Sequence, residues 1–437
     1  MVVQGLAPSF RGPLAYGQCG RRLTFILTLS LFSCANLALS FATNYPMLLA
    51  LRGVQAARSA ATISIGTGVI ADIALPFERG GFIGANSGIR IAAQALDPCV
   101  GGTLNGTIIL LVLVTFLPET QRSIAGDGSI LLHSVYRPLV YFYTVARRET
   151  SENQSRPQSQ ASMGFKQTLV PSKTLCNKDV AVLLFYGALV YAVWSMVTSS
   201  TTTVLLREFP TLTDLELGLC FLPNGLGCVI DSTITGKIMD YNYKRVEKQY
   251  KLKNEIALKT HIKGDPNIPY EHACLAPMLH LTVVFILSVC LYGASYELND
   301  INRFATANLL ISLLLQFFIA YTTTATFSIN SALLVDCFPR GAAGATAVNN
   351  LARCTLGAIG VSVIEPMIEA IRIRNTFFVL GEIVLLFRPL VWAEWKWGQS
   401  WRMQREKAMT SDQELEEVGE GKGKEVETPE SGSPQPT

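Results

Sequence analysis

Apolar residues run along this chain in ten blocks separated by polar breaks: 23–42, 46–73, 80–104, 106–117, 179–200, 215–236, 276–296, 305–329, 341–366 and 375–393. Most blocks reach the length a helix needs to cross a bilayer, about 20 residues for a hydrocarbon core of about 30 Å. Turn residues bound them, and they are rich in Gly, Ala, Ser and Thr. Such small side chains let helices approach closely in lipid, where water does not drive them together. The pattern predicts an all-α integral membrane protein of about ten spans. Composition agrees, because 49% of the 437 residues are hydrophobic and only 16% are charged. A soluble chain carries about 25% charged residues.

The polar stretches give the organisation. Residues 1–120 form a first helical half and 179–395 a second half of six helices. Between them, 121–178 holds Arg122, Arg137, Arg147, Arg148, Arg156, Lys166, Lys173 and Lys178. A second basic loop, 237–275, holds Lys237, Lys244, Arg245, Lys248, Lys251, Lys253, Lys259 and Lys263. The connections at 43–45 and 104–106 hold no basic residue, and 201–214 holds only Arg207. Lys and Arg collect on the cytosolic side, so the linker, the 237–275 loop and the C-terminal tail are expected there. The tail, 396–437, turns acidic and rich in Pro, Gly and Ser, and is expected to be disordered.

Composition also narrows the chemistry. A net charge of +3 on a chain of this size does not suggest a nucleic-acid partner. The cysteines are scattered without CxxC spacing, the four histidines form no cluster, and there is no GxxxxGK[ST] loop. No metal, no cofactor and no enzymatic activity are therefore expected. The opening "MVVQGLAPSF" lacks the basic start and cleavage site of a signal peptide.

Two loops look alike across the halves: "GPLAYGQCGRR", with Gly12, Gly20, Arg21 and Arg22, and "GKIMDYNYKR", with Gly236, Asp240, Lys244 and Arg245. They resemble the loop G-x-L-x-D-R-x-G-R-R that the major facilitator superfamily repeats at equivalent places in both halves. "LRGVQAARS" (51–59) is similar to that family's R-x-x-Q-G motif. "PCVGG", with Pro98, Gly101 and Gly102, resembles the end of its antiporter motif. "LPET" at 117–120, "LTDLELGLCFLPNG" at 212–225 and "ATAVNNLARC" at 345–354 look like the fungal multidrug:proton antiporters of the quinidine-resistance type. The resemblance implies two helical halves that rock about a central site, with the loop glycines letting helices approach and the loop charges forming a breakable cytosolic latch.

It also assigns roles. On a helix turning 100° per residue, Gln55 and Ser59 lie about 60° and 20° from Arg52, on one polar stripe. In the family the matching arginine faces the bundle interior and is tied to proton movement. An arginine keeps its own proton, so it would tune a neighbouring carboxyl or hold substrate and water. The other reading is a structural arginine bonded to backbone carbonyls. Arg353 is its counterpart in the second half, with Asn349 four residues earlier on the same face. Gating or substrate contact is one reading of that pair, helix–helix hydrogen bonding the other. Tyr191 and Trp194 share a face and either line a drug cavity or pack in the core. Asp231, five residues before Gly236, reads as near the wet cytosolic boundary, with a coupling role as the alternative.

The chain departs from the family pattern in its first half. It begins inside what should be the second span, has Tyr16 where the loop aspartate belongs, and has Asp97 before Pro98. Block 106–117 would rise only about 18 Å at 1.5 Å per residue. A major facilitator fold with an incomplete first half is therefore expected. The function expected is secondary active transport, namely proton-coupled efflux of small amphiphilic organic compounds or drugs. The alternative is a non-transporting remnant or a regulatory partner of intact carriers. The expected partners are an organic substrate, protons and the lipid bilayer. A monomer is expected, multi-pass, in the plasma membrane rather than the vacuole.

Overall fold

The computed structural model describes residues 1–5, 21–58, 115, 178–253, 270–296, 301–337 and 342–425. Among these the secondary structure is all helical: α1 (Arg21–Ser40), a helical stretch over 45–58, α2 (Lys178–Glu208), α3 (Asp214–Leu219), α4 (Leu222–Lys253), α5 (Tyr270–Ser295), α6 (Ile301–Cys337) and α7 (Ala342–Glu425). Six of the helices are long and apolar enough to cross a membrane. The expected span at 80–104, the 59–73 part of the expected span at 46–73, all of 106–117 but residue 115, all of 121–178 but residue 178, and the motif residues Gly12, Gly20, Pro98, Gly101 and Gly102 lie outside the described residues.

Local signals set the helix boundaries. Thr213 caps α3, accepting from the Glu216 amide while the Glu216 carboxylate accepts from the Thr213 amide at 2.8 Å. This reciprocal cap satisfies donors that a helix start otherwise leaves open. Within α7 the helix is interrupted at Arg372, whose φ of 68° and ψ of 161° belong to a region that glycine alone adopts freely. The legs on either side pass α2 in opposite senses. On the first leg, Val348 packs beside Val180 and Leu184, and Gly357 lies beside Tyr191. On the second, the Phe387 ring meets that of Phe185 edge to face, and Arg405 reaches Asp179 at the start of α2. The chain therefore turns back at Arg372. Gly293 of α5 leaves room for the turn, because a Cβ there would lie 2.7 Å from that of Phe377 and 3.0 Å from the Arg374 carbonyl oxygen.

Buried polar residues sit beside a large apolar core that includes Tyr186, Phe285, Tyr292 and Phe377. α6 buries Thr322, Thr323, Thr324, Thr326, Ser328 and Asn330, yet exposes Leu310 and Leu314. Leu287, Leu291, Leu385 and Leu386 also point outward. Leucines on the outside beside hydroxyls and amides within the packed helices suit lipid as the solvent, where polar groups must be satisfied inside the protein. Several of the buried hydroxyls are satisfied within their own helix, as Thr322, Thr324 and Thr326 are by the Phe318, Ala320 and Thr322 carbonyls. Longer ties join helices. Gln316 of α6 donates to Thr201 of α2 at 2.9 Å and to Tyr292 of α5 at 3.3 Å.

The last helix also runs past residue 396, where the sequence suggested a disordered tail. Arg402 lies 2.8 Å from Glu271, and Arg405 2.5 Å from Asp179, both pairs buried. These pairs fasten residues 396–405 to the starts of α2 and α5.

Candidate transport site

The second half holds a buried cation. Arg353, on the first leg of α7, is 4% exposed. Its guanidinium carbon sits 4.7 Å from the Tyr191 ring centroid on α2 and 4.6 Å from that of Phe327 on α6. Rings on two helices thus hold the cation by their negative faces. Its Nη2 donates to Asn350 Oδ1 at 2.5 Å, while Nε finds no hydrogen-bond partner. Among the described residues no carboxylate pairs with it. Tyr191 and Trp194 are both buried, with ring centroids 5.3 Å apart. Trp194 Nε1 donates to Asn224 Oδ1 of α4 at 3.1 Å, so α2, α4, α6 and α7 all contribute to this region.

Asn349 and Arg353 are both buried, but Arg353 bonds Asn350, three residues back. Asn349 instead donates to Ser331 of α6 at 3.3 Å. Asn350 in turn donates to the Gln4 carbonyl at 2.9 Å, which sets residues 1–5 against this leg. Asn350, Asn224, Phe327 and Ser331 were not singled out from sequence. Two adjacent asparagines in an apolar block were the available signal for Asn350.

In the first half, Arg52 Nη1 donates to Gln55 Oε1 at 3.0 Å, and Gln55 Nε2 donates to Asn36 Oδ1 of α1 at 2.7 Å. The stripe therefore carries a continuous polar chain, although Arg52 itself is exposed. No contact joins it to Arg353 among the described residues. Of the loop residues, Arg22 is buried, while Asp240, Lys244 and Arg245 are exposed along α4; the Arg21 side chain lies outside the described residues. A Cβ at Gly236 would meet nothing within 4 Å. The close approach on α4 falls instead at Gly227, where a Cβ would lie 2.5 Å from the Phe317 carbonyl oxygen. Asp231, read from sequence as near the wet boundary, is fully buried.

Membrane-length helices with outward-facing leucines, packed around an interior in which Arg353 has no carboxylate partner among the described residues, define a multi-pass membrane transporter. The chain belongs to the major facilitator superfamily, whose profile matches residues 1–250. It is 40% identical over 426 residues to citrate exporter 1 of Aspergillus niger, covering 94% of this chain and 79% of that protein. It is 28% identical over 411 residues to quinidine resistance protein 1 of Saccharomyces cerevisiae, covering 87% and 72%. The crystal structure of the human organic anion transporter MFSD10 (TETRAN) shares the fold, with a TM-score of 0.54 at 17% identity over 89% of this chain and 81% of that one.

Proposed function

We propose that this chain exports small organic anions, carboxylates of the citrate class, across the plasma membrane in exchange for protons. The observation that carries the reading is Arg353, buried and without a carboxylate partner among the described residues. A buried charge is costly unless paired, and a guanidinium offers N–H donors in a fork that matches a carboxylate. An anionic guest completes this site, with Asn350 and the Tyr191 and Phe327 rings fixing the guanidinium in place. The name of the Aspergillus relative speaks for the same substrate class.

The two halves rock about the site, and the basic linker and the 237–275 loop face the cytosol in this reading. The chain works as a monomer. The Arg52–Gln55–Asn36 chain serves the first half's share of the pathway by holding substrate or water and tuning proton movement there. The tilted Tyr191–Trp194 pair favours a second reading, efflux of small amphiphilic drugs by a carrier of the quinidine-resistance type. Nothing observed favours a non-transporting remnant.

Exchange of labelled citrate by the purified full chain in proteoliposomes tests the first reading. Charge-assisted hydrogen bonds are worth roughly 1.5–3 kcal/mol, so Arg353→Ala should slow exchange at least about tenfold, with partial recovery in Arg353→Lys. Quinidine exchange without citrate exchange, unaffected by Arg353→Ala, would replace it with the second reading.

A further inference from the structure

Asp231 lies within α4 and is 0% exposed. Its Oδ1 accepts from the Thr235 hydroxyl, and its Oδ2 accepts from the Ser328 hydroxyl of α6 at 3.3 Å. No lysine, arginine or histidine among the described residues faces it. Among the described residues the other titratable groups toward it are Cys228 on α4 and Tyr321 on α6, and the described side chains of α5, which also packs on α4, add none. Gly227, one turn earlier on the same face, brings the α4 backbone close enough to α6 to bury the carboxyl between them.

The geometry points to a proton-binding site at Asp231, one turn of helix α6 being shared between it and the Arg353 site. An ionised carboxyl without a cation is strongly disfavoured away from water, whereas the neutral acid is not. The two hydroxyls suit both states, since each can donate or accept. When Asp231 is ionised, Thr235 and Ser328 both donate to it. When a proton arrives, the only bond formed is the carboxyl O–H, which then donates to Ser328 Oγ as that hydroxyl rotates to become the acceptor. When the proton leaves, the reverse follows. Ser328 adjoins Phe327, whose ring packs against the Arg353 guanidinium. Proton binding on one face of this turn therefore acts on the helix that holds the anion site on its neighbouring face. The proton site stands on its own geometry; only its use in exchange rests on the transport reading.

Infrared pH-difference spectroscopy on the purified full chain in lipid tests the site without any substrate. The wild-type chain should show the C=O stretch of a neutral carboxylic acid that titrates with pH. That band should vanish in Asp231→Asn, which keeps the shape and the hydrogen-bonding reach, and should persist at a shifted frequency in Ser328→Ala. Identical spectra from wild type and Asp231→Asn would overturn the proposal. Loss of the band on adding sodium at fixed pH would overturn it in favour of a metal-cation site. In proteoliposomes with citrate as the probe, Asp231→Asn should lose accumulation driven by a pH gradient relative to citrate-for-citrate exchange. An Asp231→Asn chain that still accumulates citrate with wild-type pH dependence would refute the site. If the wild type moves no citrate while the infrared band behaves as expected, the substrate assignment fails and the proton site stands.

Discussion

Adding one methyl group at Gly227 should destabilise the second half, although the same change at Gly236 should not. A Cβ at Gly227 would sit 2.5 Å from the Phe317 carbonyl oxygen and 3.0 Å from the Tyr321 amide nitrogen. Carbon–oxygen contacts across helices settle at about 3.3–3.6 Å, so the helices must part by roughly 1 Å. Both obstructing atoms are helix backbone and cannot rotate away. Overpacking of this kind costs about 1–3 kcal/mol. The Ser328–Asp231 hydrogen bond, already 3.3 Å long, would open as α4 moved off α6. A buried acceptor left unsatisfied adds about 1–3 kcal/mol. Against this, alanine gains about 1 kcal/mol over glycine in a helix interior. The balance is a net loss of about 1–5 kcal/mol for Gly227→Ala. Thermal unfolding of the purified chain should show it as a fall of several degrees, at roughly 2–4 °C per kcal/mol. Gly236→Ala is the control: a Cβ there meets nothing within 4 Å, so its midpoint should hold or rise slightly. Equal midpoints for the two variants would refute the close-approach argument.

Other expectations follow from single contacts. Arg372→Gly should raise the unfolding midpoint, because the residue's φ of 68° carries a strain of about 1–3 kcal/mol that glycine does not. Breaking the buried Asp179–Arg405 pair from one side, with Asp179→Asn, should cost about 3–5 kcal/mol. A double-mutant cycle with Arg405→Gln should then show coupling of about 0.5–3 kcal/mol, and strict additivity would count against a direct pair. Gln316→Leu removes the donor shared by Thr201 and Tyr292 and should lower stability by about 1–3 kcal/mol in the same unfolding assay, whereas an unchanged midpoint would mean the tie contributes nothing.

The membrane class and the helical organisation of the second half were legible in the sequence, because both depend on properties that add along the chain. Blocks of apolar residues long enough to span lipid leave little choice of secondary structure, since each backbone polar group must be satisfied within its own helix. Arg353 was legible for a related reason: a charge inside an apolar block is costly enough to demand a role. Its surroundings were not. Asn350 rather than Asn349 takes the hydrogen bond because side-chain reach and the position of α6 decide between neighbours on one face, and the Phe327 ring comes from a distant helix. Asp231 shows the limit most clearly. Its distance from Gly236 placed it near water, yet α4 continues as helix to Lys253 and the carboxyl is sealed between α4 and α6. The spacing Gly227, Asp231, Thr235 set one face of α4, but only the approach of α6, through the missing Cβ of Gly227, turned that face into a closed polar site. Likewise the ion pairs of Arg402 and Arg405 with Glu271 and Asp179 join residues far apart in the chain, and no local pattern announces them. Composition and periodicity determined which segments are helices in a membrane. Burial, partners and charge compensation were decided by which helices meet, and that is a property of the packed structure.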